Sequence, residues 1–150
     1  MWNLSPNERL QAWRKFRKQL DTKSLEQAIA DTNHLWSYAP YVSRYLLPES
    51  TQDWPDPWRL IYDNHYCDIA KALGMLYTMY LTKHASAELE LEFRVYRCGE
   101  TGNWSNCVWI NQGKYILNMI FDEVVNTSYV PEHMILVHQY QLRDLPLDQK

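Results

Sequence analysis

The sequence predicts an α+β fold: N-terminal helices, then one helix packed on an antiparallel sheet of about four strands. Three observations carry this. The first half shows helical spacing of apolar residues behind recognisable caps. At Glu88 the pattern switches to strict alternation, "ELELEFRVYR". Asn111-Gln112-Gly113 then punctuates two strand-like runs as a hairpin turn. Helices first and strands second describe an α+β layout in one domain over 1–150, with a helical layer at 1–63 and a helix-plus-sheet core at 64–145.

The elements follow in order. Ser5 caps a first helix, with Pro6 at its first position, Glu8 completing a capping box, and Leu10, Trp13, Phe16 and Leu20 as its stripe. Ser24 opens a second helix through Leu25, Ala28, Ile29, Leu35 and Trp36, which Pro40 ends. Tyr41 to Leu47 reads as a short third helix. Asp56 caps another, with Pro57 at its start. Asp63 or Asn64 caps the main helix, expected to run to about Lys83 with Ile69, Ala70, Leu73, Leu76, Tyr77, Tyr80 and Leu81 on its apolar face. Gly74 in its middle costs about 1 kcal/mol against Ala, which close packing against a sheet would justify. Strand Glu88–Arg97 should bury Leu89, Leu91, Phe93 and Val95 on one face and turn Glu88, Glu90, Glu92 and Arg94 to the other. Further strands are expected at about Ser105–Asn111, Lys114–Phe121 and Met134–Leu142.

The 150 residues suffice for one core without disulfide or metal. Aromatic residues make up 14%, with seven Trp and 11 Tyr against three Phe, so amphipathic rings should reach the core boundary or a protein contact. A net charge of -3 with no basic block excludes a nucleic-acid groove, and Arg14-Lys15-Phe16-Arg17-Lys18 reads as the solvated face of a helix. No apolar run is long enough for a membrane span, and the first residues lack the pattern of a secretion signal. Three cysteines without close pairing read as reduced thiols. No cofactor or metal is expected.

Asn64-His65-Tyr66-Cys67-Asp68-Ile69-Ala70 places a cysteine at a helix start, where free N–H groups and the helix dipole favour a thiolate. With the later hairpin "NCVWINQGKYILN", it resembles the core of the transglutaminase-like fold, which includes cysteine hydrolases and acyltransferases. The resemblance implies a cysteine heading a helix, a strand reading His-small-Trp and a following strand ending near Leu-Asp. Cys67 matches the first element. Cys107-Val108-Trp109 falls on the second, which puts Cys107 in place of the catalytic His. Leu117-Asn118 falls on the third, which puts Asn118 in place of the Asp. A thiol cannot act as the imidazole there. His65 lies two residues from Cys67, off any shared helix face, and His138 in the last strand is the better substitute base. "WPDPW" with "YCDIAKALGMLYT" is also similar to short proteins encoded by tailed bacteriophages.

The expected function is therefore a non-catalytic interaction or virion assembly protein on a transglutaminase-like scaffold, phage-encoded, in the host cytoplasm or the virion. Its partners would be other proteins, components of a particle or assembly, or further copies of itself. Trp2, Trp54, Trp58 and Trp104 are the candidate contact residues, with Trp54 and Trp58 alternatively plugging the core. The competing reading is a cysteine hydrolase or acyltransferase with Cys67 as nucleophile, His138 as base and Asn118 orienting it.

Overall fold

The computed structural model describes residues 1–86 and 88–147. Four helices precede five strands: α1 (Pro6–Leu20), α2 (Leu25–Ser37), α3 (Pro57–Asp63), α4 (Asp68–Tyr80), β1 (Leu91–Cys98), β2 (Trp104–Ile110), β3 (Tyr115–Ile120), β4 (Glu123–Val125) and β5 (Met134–Gln141). The sheet is antiparallel in the order β4-β3-β2-β1-β5. β4, a strand of three residues, was not expected; it is too short to show alternation.

α4 lies across one face of the sheet, against β1, β2 and β3, and α2 lies beside β3 and β4. Leu91, Phe93 and Val95 point into this layer and are buried, Leu89 packs at its margin, and Glu90 is exposed. Burying each of these apolar side chains contributes roughly 1.5–3 kcal/mol. The opposite face carries a smaller cluster of Tyr96, Cys107, Trp109, Ile116 and Val125, and Val130 and Met134 pack against it.

Thr78 of α4 ties three helices together. Its Oγ1 accepts hydrogen bonds from Trp13 Nε1 of α1 at 3.0 Å and Trp36 Nε1 of α2 at 2.9 Å, and its hydroxyl donates to the Gly74 carbonyl at 2.6 Å. Gly74 does serve close packing, but against α2 rather than the sheet: a Cβ there would fall 2.4 Å from the Trp36 ring.

Two local expectations are corrected. Residues 41–47 are not helical; they form an irregular segment bridged at Tyr41 to Tyr66, with Val42 N–H donating to the Tyr66 carbonyl at 3.2 Å. Pro40 and Pro48 bracket this segment and oppose a helix at both ends. Asn64 is not the cap of α4. It adopts the left-handed conformation (φ 57°) that closes α3, and α4 starts three residues later with Cys67 as its N-cap.

Candidate functional site: the cavity at the start of α4

Cys67 caps the start of α4, next to Tyr66 and its bridge to Tyr41. A cavity of about 230 Å³ opens beside it, lined among others by Tyr41, Arg44, Asp68, Trp104 and Asn106. Cys67 itself is 2% exposed. Tyr45 does not line this cavity but lies near the Cys67 thiol, its hydroxyl donating to the His65 carbonyl at 2.7 Å. Burial, with the nearby Cys67 thiol and Asp63 adding to it, pushes the Tyr45 phenol well above its ordinary range, so Tyr45 is a neutral donor.

Opposite Cys67 stands an amide network. Asp68, in the first turn of α4, accepts from the Asn106 side chain at 2.9 Å, the Asn106 backbone N–H at 3.3 Å and the Asn118 side chain at 3.1 Å. Asn118 Nδ2 also donates to the Asn106 carbonyl at 2.8 Å, and its N–H donates to Asn33 Oδ1 at 3.1 Å. Asn118 holds a left-handed backbone (φ 65°), which Asn tolerates better than most residues and which interrupts the β3 ladder here. Asn106 Oδ1 is left buried without a partner.

The position of Cys107 is a correction. Side chains alternate between the faces of a strand, and β2 turns Asn106, Val108 and Ile110 towards α4 but Cys107 and Trp109 away from it. Cys107 belongs to the outer cluster, with its Sγ 3.6 Å from the Arg94 carbonyl, and burial pushes its thiol up to about 12. The strand position that faces Cys67 is therefore Asn106, one residue earlier. Asn118 does join the site, through Asp68 and Asn106.

None of the five histidines lines the cavity. His138 is paired with Val95, which in turn is paired with Asn106, so His138 shares their face but lies two strand spacings from Asn106, roughly 10 Å. Its ring stacks on Tyr140, with centroids 5.7 Å apart. The His65 ring lies 6.1 Å from that of Tyr45. His34 bonds Asp122 and His84 bonds the Leu20 carbonyl. Among the described residues, no three His, Cys, Asp or Glu side chains gather as a metal site would require, and no helix is long and apolar enough to cross a membrane.

The four tryptophans divide. Trp104 is 40% exposed in the cavity lining, with Arg44 5.9 Å above its ring, and Trp58 is 45% exposed. Trp54 is 1% exposed, packed on Phe93 and Tyr140 with its N–H on the Leu47 carbonyl; it is a core plug, because the Pro-bounded turn folds it inward. Trp2 is half-buried: it wedges against Trp36 and Tyr66 at 4.9 and 5.0 Å and packs on the core. The N-terminal segment is held there by Arg9, which donates to the Leu4 carbonyl, and by Asn64, which donates to the Trp2 carbonyl.

No protein-family model matches the sequence, and no curated protein matches it. Solved structures do. Calcium-bound Legionella pneumophila LapG superposes with a TM-score of 0.75 over 93% of this chain and 78% of its own, at 14% identity. EGTA-treated LapG from the same organism gives 0.72 over 91% and 74%, at 15% identity. The fold is transglutaminase-like. At such identity the likeness carries the arrangement of helix and sheet and nothing of the chemistry.

Proposed function

We propose that this chain is a non-catalytic protein-interaction module on a transglutaminase-like scaffold. The observation that carries the reading is Asn106. The strand residue facing Cys67 across the cavity is an amide tied to Asp68, and an amide cannot exchange a proton near neutral pH as a general base must. The residues around it hold Asp68 in place by hydrogen bonds, which suits a rigid surface. Exposed Trp104 and Tyr41, which line the cavity together with Arg44, have the composition of interface hot spots. The likeness of "WPDPW" and "YCDIAKALGMLYT" to short proteins of tailed bacteriophages favours a partner within a phage particle or assembly, in the host cytoplasm.

One observation favours a second reading, a cysteine hydrolase or acyltransferase: Cys67 does begin a helix beside a cavity. Co-purification from the native source separates the two. Cys67→Ala should retain the partner, and Trp104→Ala should weaken its binding by roughly 2 kcal/mol or more, the hot-spot scale. Loss of function in Cys67→Ala with full binding in Trp104→Ala would reverse the assignment.

A further inference from the structure

Charge is unevenly placed along this chain. Residues 6–20 carry five of the 15 Lys and Arg against one carboxylate, Glu8, a formal charge of +4 in a chain whose total is -3, which leaves -7 for the remainder. Arg9 is internal, its guanidinium bound to the carbonyls of Leu4, Ile61 and Tyr62. The other four lie outward or half-outward, and among the described residues none of them forms an ion pair. Arg14, Lys15 and Lys18 fall at helical spacing on one exposed face of α1.

This face continues into an aromatic one. Arg17 lies 4.3 Å over the Trp13 ring and 5.5 Å from that of Trp58, which meets Trp13 edge-on at 5.7 Å. Burial and the like charge of Arg14 push the Arg17 guanidinium below its usual range, with Asp21 only partly offsetting them. Trp58 and Tyr62, one turn apart on α3 and both exposed, line with Leu10 a cavity of about 490 Å³. Its two carboxylates are already engaged: Asp56 caps α3 by accepting from the Arg59 N–H at 2.8 Å, and Asp63 pairs with the Arg59 side chain at 3.2 Å.

We infer that the α1–α3 face is a second docking surface, separate from the Cys67 cavity, for an acidic segment of a partner protein with an aliphatic or aromatic anchor. Its carboxylates lie along Arg14, Lys15 and Lys18, and its apolar side chain rests on Trp58 and Tyr62. The basic row from Gln11 to Lys18 is about 10 Å long, the length of three or so extended residues. A short acidic peptide fits within it. A nucleic acid or an anionic membrane would extend past it against the negative remainder of the chain. The inference does not depend on whether Cys67 is catalytic.

The test is fluorescence anisotropy on the full chain with a short fluorescein-labelled peptide of alternating Glu and Leu, against a Lys/Leu counterpart, oligo-dT and phosphatidylserine-containing vesicles. Saturable binding of the acidic peptide is expected, weakening as salt rises and falling roughly tenfold or more in the Lys15→Glu/Lys18→Glu variant. Tyr62→Ala, whose ring is exposed and whose loss leaves the core intact, should also weaken it. No binding of the acidic peptide, equal binding of the basic one, tighter binding of oligo-dT or vesicles, or unchanged affinity in the charge-reversal variant overturns the inference.

Discussion

Thr78→Val removes one oxygen and leaves the shape of the side chain unchanged. Trp13, Trp36 and Thr78 are all fully buried, and both indole N–H groups have Thr78 Oγ1 as their acceptor. Valine cannot accept, and the site is sealed from bulk solvent. Each orphaned donor costs about 1–3 kcal/mol, so the two together should cost about 2–6 kcal/mol. The bond from the Thr78 hydroxyl to the Gly74 carbonyl is lost as well, but that carbonyl keeps its helical partner. Against a typical total of about 5–15 kcal/mol this is a large fraction. With a urea slope of about 2 kcal/mol/M, the unfolding midpoint should fall by roughly 1–3 M at constant slope. Thr78→Ser keeps the acceptor and should lose only about 1 kcal/mol, for the methyl. A Val variant within about 1 kcal/mol of the parent, or a Ser variant worse than Val, would refute the role given to the hydroxyl.

Other outcomes follow from the same geometry. Gly113→Ala should cost about 2 kcal/mol or more by urea unfolding, because φ is +88° and the new Cβ would lie 2.4 Å from Thr127 and 2.5 Å from the Trp109 ring. Trp2→Ala should lower stability by about 2 kcal/mol, since its ring packs on the core, whereas Trp104→Ala should stay within about 0.5 kcal/mol by the same assay. Burial raises the Cys107 thiol to about 12, so it is neutral below that pH and shielded. It should resist iodoacetamide at pH 8 and react only on unfolding, as mass spectrometry of the labelled peptide would show.

The periodicities were legible because each element has one apolar face. β1 alternates cleanly, and Leu91, Phe93 and Val95 are inward as that alternation requires. β2 was harder. Both of its parities are apolar, Val108 and Ile110 on one face and Cys107 and Trp109 on the other, so the sequence does not say which side meets α4. Likeness to a His-small-Trp strand singles out Cys107, and the strand's own pattern cannot show that Asn106, not Cys107, turns towards α4. Residues 41–47 offer Tyr, Leu and Val at close spacing, which suits a helix as well as an irregular segment, and the Tyr41–Tyr66 bridge, a long-range contact, decides it. The Trp2 wedge likewise depends on partners far along the chain, Trp36 and Tyr66. Arg44 and Tyr41 reach the cavity by the same tertiary route, with no local motif to announce them.

The proposal turns on whether Cys67, at the start of α4, has a neighbour that could activate it. The rate of Cys67 alkylation by iodoacetamide in the native protein, followed by mass spectrometry at neutral pH, tests it most directly. With Cys67 nearly inaccessible and the facing strand residue an amide, labelling should be slower than that of an unstructured cysteine peptide under the same conditions. Labelling many times faster than that peptide, and lost in His138→Ala, would show an activated thiolate with a working base and contradict the account.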